Sequence, residues 1–362
     1  MNQKYNDTDF ITGLRAVAIC MVLLVHSGIG GIFQSQSYLS NIINEGRYGV
    51  HIFFVISGFT IFYQFMNSNY EFINFFKIRL LRILVPYLPI LLGMFTLYNL
   101  NIISPNYWAK SLNNDEVSFI NLFMHLSFFG ISDNKYINSI LGVEWSLYIE
   151  VFYYLMLGLA ISIFDLRKKS VFIIIFIISV LTYLIMFNLH KTKVIDDLTY
   201  QWGPLPYFFM FMLGGLAYTI RYNFKHKSAK LSNLVLLLFM SQLALAQLQT
   251  EMIQDLMYPI ATCLVIAFVK VDTLADKLLN LYPFQFIGRI SFSLYLLHLP
   301  IIDYLWSIGL SRVNIFIMGL CLSILASYVY SKLFEEKLYG VLKNKIMRIN
   351  KPINQAKIAL QV

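Results

Sequence analysis

The stretch Val171-Phe-Ile-Ile-Ile-Phe-Ile-Ile-Ser-Val-Leu-Thr-Tyr-Leu-Ile-Met-Phe-Asn-Leu189 carries no charged side chain over nineteen positions. A bilayer core takes roughly 20 apolar residues per helix, so this stretch is long enough to cross one. Only 13% of the 362 residues are charged and 58% are hydrophobic, whereas roughly 25% of an ordinary soluble chain is charged. Comparable apolar runs lie at 11–29, 49–66, 80–98, 145–163, 204–220, 231–249, 254–270, 286–307 and 312–332. The sequence therefore predicts an all-α, polytopic membrane protein of about ten transmembrane helices.

The basic residues predict which loops face the cytoplasm, since cytoplasmic loops carry an excess of Lys and Arg. With the N-terminus inside, 22 of the 28 Lys and Arg residues fall in cytoplasmic segments. Both termini are thus expected in the cytoplasm, with one membrane-embedded domain over 1–335 and a basic cytoplasmic tail over 336–362. The net charge of +9 is a topology signal, and no nucleic-acid partner is expected. The six basic residues on the other side are Arg47, Lys110, Lys135, Lys191, Lys193 and Arg312.

The segment from Leu100 to Glu144 is long for a loop, and loops of this length are often functional. It contains a Phe-rich apolar piece, Val117 to Ile131. If that piece crossed the membrane, every later loop would change sides and the basic loops would face outward. A surface-lying or re-entrant segment is therefore the better interpretation.

The cysteines predict neither a disulfide framework nor a metal site. Cys20, Cys263 and Cys321 are odd in number, far apart in sequence and each inside an apolar run. We interpret them as small packing residues, and no metal is expected.

Ionisable residues inside the apolar runs are the candidates for function. A charged side chain within the hydrocarbon costs at least about 2.5–3.5 kcal/mol, so such a residue is a functional hypothesis by default. The candidates inside the membrane are Arg15, His26, His51, Glu150, Arg289 and His298, and those at the helix mouths are Glu144, Arg79, Arg82 and Glu336.

Arg15 and His26 share a helix face, since eleven residues correspond to three turns plus about 20° and to about 16 Å of rise. Arg15 is then expected near the cytoplasmic mouth, and His26 past the midplane towards the outside. Two structural interpretations remain open. Arg15 would then be an anchor whose long side chain reaches the membrane surface, and His26 would form a hydrogen bond between packed helices.

His51 and Glu150 both lie on helices that enter from outside, so we expect them at the depth of His26. A carboxylate beside a histidine can fix its tautomer and stabilise the imidazolium, which suits general base catalysis. An interfacial histidine at position 51 and a structural ion pair at Glu150 are the alternatives.

Arg79 and Arg82 are three residues apart and therefore neighbours near the start of the third predicted helix. Guanidinium groups suit phosphate because their planar forks donate two hydrogen bonds at once. The pair predicts an anchor for a phosphorylated cytosolic ligand. Ordinary cytoplasmic positive charge is the alternative.

Six short motifs, in one order along nearly the whole chain, resemble the acyltransferase-3 family of membrane acyltransferases. They are Arg15 with His26 after ten intervening residues, Gly49-Val-His-Ile-Phe-Phe-Val-Ile-Ser57-Gly58-Phe59, Arg79-Leu-Leu-Arg82, Trp145-Ser-Leu-Tyr-Ile-Glu150, Gly288-Arg289-Ile-Ser291-Phe-Ser-Leu-Tyr295-Leu-Leu-His298, and Phe334-Glu-Glu336-Lys337.

The resemblance implies an acyl-coenzyme A co-substrate, with acetyl-coenzyme A expected, bound from the cytosol at the bacterial inner membrane. It implies that His26 is catalytic and that Arg15, Arg79 and Arg82 hold the donor. The implied acceptor is a glycan or a lipid-linked sugar such as lipopolysaccharide O-antigen, with polysaccharide-assembly proteins as further partners. Position 51 is His where many members have Asp, which makes Glu150 the expected partner of His26. Ser57, Glu144, Arg289, His298 and Glu336 are further candidate site residues.

Several alternatives stay open at the level of sequence. His26 could act as a general base or carry the acyl group itself. The acyl group could be succinyl in place of acetyl. A glycan exporter or flippase would also suit buried Arg and His residues, and a non-enzymatic scaffold of an assembly complex would need none of them for catalysis.

Overall fold

A computed structural model describes residues 7–34, 37–67, 72–112, 117–164, 166, 168–224, 228–245 and 251–349. Short 3₁₀ turns lie at Ile29–Ile32, Glu45–Tyr48, Phe129–Ser132 and Leu205–Tyr207, and a π-helix at Ser331–Leu338. The α-helices are α1 Phe10–His26, α2 Tyr38–Asn44, α3 Gly49–Asn67, α4 Phe72–Asn99, α5 Tyr107–Ser111, α6 Phe119–Leu126, α7 Glu144–Phe164, α8 Lys169–Lys191, α9 Asp197–Trp202, α10 Phe208–Asn223, α11 Ala229–Ala244, α12 Glu251–Phe268, α13 Leu274–Leu279, α14 Tyr282–Arg289, α15 Ser291–Ser307, α16 Arg312–Tyr330 and α17 Tyr339–Ile349.

The chain is an all-helical polytopic membrane protein, as the composition predicts, and the described residues contain no strand. Each of the ten apolar runs contains most of one α-helix, in chain order α1, α3, α4, α7, α8, α10, α11, α12, α15 and α16, and the run 286–307 also takes in the end of α14. Within the described residues, five helical segments are long and apolar enough to cross a membrane, and a bent pair makes a sixth. Three further helices are apolar but shorter. The count of ten spans and the side of the termini stay predictions.

Two predicted boundaries differ from the structure. The third run was expected from residue 80, but α4 begins at Phe72, so Arg79 and Arg82 lie two to three turns inside the helix. The run 286–307 was expected to be continuous, but α14 and α15 meet at an angle of 70°. The bend falls at Gly288-Arg289-Ile290-Ser291, and a hydropathy average taken over the whole run does not register these few positions.

The apolar piece at Val117 to Ile131 forms the eight-residue helix α6 and a 3₁₀ turn. Eight residues rise only about 12 Å, too little for a hydrocarbon core of about 30 Å. This agrees with a segment that does not cross the membrane. At the other end of the chain, helix continues from α16 through the π-helix into α17, and 350–362 of the predicted tail lies outside the described residues. The boundary at 335 stays a prediction.

The bundle is centred on α1, α3 and α10. Gly58 of α3 and Gly214 of α10 let these two helices touch backbone to backbone, because a Cβ on Gly214 would lie 2.3 Å from the Val55 carbonyl oxygen. Small residues at such crossings are typical of membrane helices. Buried Arg221 ties the start of α1 to α10 and α12 through Asp7 and the Ile266 carbonyl. These contacts fix α1, which carries both Arg15 and His26.

Candidate active site

The main cavity, about 340 Å³, lies among α1, α3, α4, α7 and α15. Its basic end, where α1 begins, is lined by Arg15, Arg79 and Arg82. Its opposite end, where α3 and α7 begin, is lined by Val50, Ser146 and Tyr295. The volume lies within the range of about 300–1,000 Å³ that small-molecule sites occupy. The cavity therefore runs from a cluster of cations towards the far ends of the same helices.

The three arginines at the basic end have different surroundings. Arg79 is buried and donates from Nε to Gln64 and from Nη2 to the Thr60 carbonyl, at 2.9 Å each. Arg15 and Arg82 are half-buried, and neither donates a hydrogen bond to another described residue. Arg79 therefore links α4 to α3, whereas Arg15 and Arg82 present their guanidinium groups to the cavity.

A second cavity of about 430 Å³, the basic cavity, continues from the main cavity at this end. The two share Thr60, Tyr63, Arg79 and Arg82 as lining residues. Tyr339 and Lys343 of α17 complete the lining of the basic cavity. The beginning of the predicted tail thus adds a cation to the site.

Glu150 lies in the middle of the main cavity. Its Oε1 accepts a hydrogen bond of 2.5 Å from the Ser57 hydroxyl and another from the hydroxyl of Tyr154. The carboxylate also interacts electrostatically with Arg15, Arg79 and Arg82. A partly buried carboxylate among three guanidinium groups offsets part of their mutual repulsion.

His26 and His298 form a hydrogen-bonded pair at the last residue of α1. Nδ1 of His26 lies 2.9 Å from Nε2 of His298, and the rings stack with centroids 5.1 Å apart. His298 is fully buried, and its Nδ1 lies 2.8 Å from the Tyr295 carbonyl oxygen. A carbonyl only accepts, so Nδ1 of His298 carries the hydrogen, and Nε2 of a neutral His298 is an acceptor.

The hydrogen between the two rings must then sit on Nδ1 of His26. Nε2 of a neutral His26 keeps its lone pair. The backbone of α15 thus sets the tautomer of His298, and His298 sets that of His26. Tyr295, one helical turn before His298, lines the opposite end of the main cavity, which brings this end close to the pair.

Comparison with known proteins decides the class of the chain. The acyltransferase-3 family model, described as an acyltransferase domain, matches residues 8–332. The chain belongs to the acyltransferase-3 family. Neither a curated protein nor a solved structure matches it.

The sequence predicts Glu150 as the partner of His26, but the structure of this acyltransferase does not bring the two side chains together. Among the described residues, His298 is the hydrogen-bond partner of the His26 ring, and Glu150 is bonded to Ser57 and Tyr154. The physical reason is depth. Glu150 follows Glu144, the first residue of α7, by six residues, which corresponds to about 9 Å of rise, whereas His26 is the last residue of α1.

His26 and His298 lie beside the main cavity without lining it, and three other candidates of this acyltransferase lie away from it. Glu144 is buried at the first residue of α7, where its carboxylate accepts from the Leu141 and Val143 amides at 2.6 and 3.0 Å. Arg289 is exposed at the bend between α14 and α15. Glu336 is exposed and pairs with Lys332 at 2.6 Å.

His51 also lies apart from the His26–His298 pair. It lines a third cavity, about 250 Å³, with Tyr48 and Tyr207. His51 is the third residue of α3, and its expected placement at the depth of His26 stays a prediction. The polar groups that its ring meets are different from those of the main cavity.

Sequence reasoning missed two residues of the site. Glu335, next to Glu336 in sequence, accepts from the backbone amide of Ser293 at 2.9 Å and from its hydroxyl, and it interacts electrostatically with Arg15. Lys343 lines the basic cavity, although the sequence analysis assigned it only to a basic cytoplasmic tail. The π-helix changes which residues face the bundle, and no hydropathy pattern signals it.

Proposed function

We propose that this acyltransferase moves an acyl group, acetyl being the expected one, from cytosolic acyl-coenzyme A to a hydroxyl of a surface glycan or its lipid-linked precursor. In this proposal the membrane is the bacterial inner membrane, and lipopolysaccharide O-antigen is an example of the acceptor. The observation that carries it is the 2.9 Å hydrogen bond between His26 and His298, which leaves one basic nitrogen on His26 at the far end from the arginines. Family membership supports acyl transfer in general.

The donor is proposed to enter at the basic end. Its diphosphate and 3′-phosphate need several cations, and Arg15, Arg82 and Lys343 line the two joined cavities there. Guanidinium forks match phosphate oxygens two at a time, which favours Arg15 and Arg82 over Lys343 as the main contacts. The long arm of the donor then lies along the main cavity, past Ser57 and Glu150, towards Tyr295.

The chemistry is proposed to take place at Nε2 of His26. This nitrogen accepts the proton of the sugar hydroxyl while the sugar oxygen bonds to the thioester carbonyl carbon. Collapse of the tetrahedral intermediate breaks the carbon–sulfur bond, and the proton on His26 passes to the departing thiolate. If His26 carries the acyl group instead, its Nε2 bonds to the thioester carbon and the thiolate leaves first. The sugar oxygen then attacks the acyl-imidazole and releases His26, and the hydroxyl proton passes to the thiolate.

Replacing His26 tests the proposal. His26→Gln keeps a hydrogen-bonding side chain but cannot take up a proton, so glycan acylation is expected to fall by about 10²–10⁴-fold. The measurement is acyl content of the surface glycan by mass spectrometry, in a null strain complemented with each variant at matched membrane levels. Full acylation by His26→Gln would refute the catalytic role. Purified wild-type protein that never cleaves the thioester, with or without glycan, would favour the exporter.

A further inference from the structure

The third cavity, here called the aromatic cavity, is built unlike the main cavity. Its walls are the side chains of Tyr48, Trp145, Tyr183, Tyr200, Trp202 and Tyr207. All six come from the end of the bundle where α3 and α7 begin and α8 ends, the end opposite to the arginine cluster. The exposed residues Arg47 and Gln201 form its mouth.

Its polar groups form a hydrogen-bonded rim of acid, amide and phenol groups. Buried Asp255 accepts from the hydroxyls of Tyr183 and Tyr200, at 3.5 and 3.3 Å. The Tyr48 hydroxyl donates to Gln254 at 3.1 Å and accepts from Arg47 at 2.9 Å. These groups can donate and accept, but they lack the clustered cations that a phosphate ligand requires.

His51 supplies an independent sign that the aromatic cavity receives a polar ligand. Its side chain is only 8% exposed and lines the cavity floor between Tyr48 and Tyr207. Among the described residues, Nδ1 of His51 has no hydrogen-bond partner. A buried polar atom without a partner costs about 1–3 kcal/mol, so the lining of the aromatic cavity carries an unmet hydrogen-bonding group.

The wall that carries Tyr200 and Trp202 is held in a defined position. Both belong to the short helix α9, whose first turn is capped by Asp196 accepting from the Thr199 amide at 2.9 Å. Hydrogen bonds from the Thr199 side chain and backbone lower the pKa of the Asp196 carboxyl, because they stabilise its charged form. The aromatic wall is thus preformed.

The aromatic cavity lies one ring away from the main cavity. Phe54 lines the main cavity, and its ring centroid is 5.0 Å from that of Tyr207 and 6.1 Å from that of Trp145. Trp145 is also the chain neighbour of Ser146, which lines the opposite end of the main cavity. A ligand in the aromatic cavity would therefore be held beside the end of the main cavity that lies nearest to the histidine pair.

We propose that the aromatic cavity binds one sugar ring of the acceptor glycan. A pyranose ring has C–H faces that pack on Tyr and Trp rings, and hydroxyls that can hydrogen-bond to the Asp255 carboxylate and to the His51 ring. The volume of about 250 Å³ suits a single ring better than a chain of rings. This inference rests on the proposed glycan acylation and assigns its acceptor to residues outside the main cavity.

The test separates acceptor binding from donor chemistry. The purified full-length chain in lipid nanodiscs is given acetyl-coenzyme A and a glycan fraction extracted from a null strain. Two rates are measured, thioester hydrolysis without glycan and acyl transfer at increasing glycan concentration. Tyr200→Ala and Asp255→Asn alter the aromatic cavity, and Tyr282→Ala, at an exposed tyrosine of α14, is the matched control.

Asp255→Asn is expected to raise the apparent KM for the glycan fraction at least about tenfold, since hydrogen bonds to a charged group contribute about 1.5–3 kcal/mol. Tyr200→Ala is expected to raise the same KM, because it removes one aromatic wall of the cavity. Glycan-free hydrolysis and the donor KM should match wild type and Tyr282→Ala. An unchanged glycan KM in both variants overturns the assignment, as does an equal fall in hydrolysis. Wild-type protein with neither hydrolysis nor transfer would instead refute the proposed function.

Discussion

At the scale of single residues, the tautomer of His26 depends on one side chain that is distant in sequence. His298 accepts the hydrogen bond of 2.9 Å from Nδ1 of His26 only because its own Nδ1 donates to the Tyr295 carbonyl at 2.8 Å. A substitution at position 298 should therefore act through His26. We regard His298 as a positioning residue.

His298→Asn is expected to retain part of the activity, because its amide oxygen can still accept from His26 if it reaches the ring. His298→Phe should lower kcat by about 10²-fold, the cost of a misdirected group, with the donor KM unchanged. The measurement is steady-state transfer by purified protein. Adding His298→Phe to His26→Gln should cost little more, since groups acting as one unit are not additive. If the fall in kcat of the double variant equals the product of the two single falls, the coupling of His298 to His26 is contradicted.

Alanine substitutions at Arg79 and Arg82 should affect different properties of the protein, although the two residues belong to one motif. Arg82→Ala is expected to weaken binding of acyl-coenzyme A by about tenfold or more, because a charged hydrogen bond contributes about 1.5–3 kcal/mol. Arg79→Ala should instead lower the thermal midpoint, since it breaks the bonds to Gln64 and Thr60. Donor titration and a melting curve on each variant, with Arg82→Lys as the charge-keeping control, would check both. An unchanged donor affinity in Arg82→Ala would contradict the donor-binding role and favour the alternative that Arg82 is ordinary cytoplasmic positive charge.

Part of this site is predictable from the sequence, and part is not. The spacing along one helix correctly predicts that Arg79 and Arg82 are neighbours, because residues three positions apart lie within one helical turn. The pairing of His26 with His298 joins residues 272 positions apart, and depth estimates alone favoured Glu150. Contacts between helices depend on rotation and tilt, which a single hydropathy pattern does not contain.

At the scale of elements, the bend between α14 and α15 is supported by the π-helix. The 70° break leaves the first amides of α15 without partners in their own helix. Glu335 accepts from the Ser293 amide at 2.9 Å and from the Ser293 hydroxyl. The π-helix at Ser331–Leu338 therefore caps α15, and α15 in turn carries His298.

Two adjacent glutamates provide a matched test of that cap. Glu335→Ala should destabilise the protein by about 1.5–3 kcal/mol, because it removes a charged acceptor from buried Ser293. Glu336→Ala removes only an exposed pair with Lys332 and should change stability by less than about 1 kcal/mol. Thermal denaturation in detergent measures both. Equal midpoints for the two variants would contradict the capping role.

At the scale of the whole molecule, composition was sufficient to predict an all-helical membrane protein. The low charge and the apolar runs predict it because lipid tolerates few structures other than helices. The same pattern did not reveal that Gly58 and Gly214 bring α3 and α10 into backbone contact. Nor did it reveal that α17 returns to the basic cavity, where Lys343 joins the two arginines of α4. Those features depend on tertiary packing.

Topology is the prediction that links this architecture to a cytosolic donor. The excess of Lys and Arg on one side predicts that Arg15, Arg82 and Lys343 face the cytoplasm. Reporters fused after Asn44, near Lys135 or after Lys193 should read extracytoplasmic. Those fused after Asn67, Lys169 or Lys227, or in the tail, should read cytoplasmic. Enzymatic reporters active on only one side of the membrane provide the measurement.

The fusion after Lys227 decides the weakest part of the ten-span prediction. It follows α10, whose 16 residues rise only about 24 Å, less than a hydrocarbon core of about 30 Å. If α10 crosses, with loops or local thinning making up the difference, the reporter after Lys193 reads outside and the one after Lys227 reads inside. If both read outside, α10 does not cross and the number of spans is smaller. A cytoplasmic signal after Lys193 would invert the topology there and remove the proposed route from a cytosolic donor to an external acceptor.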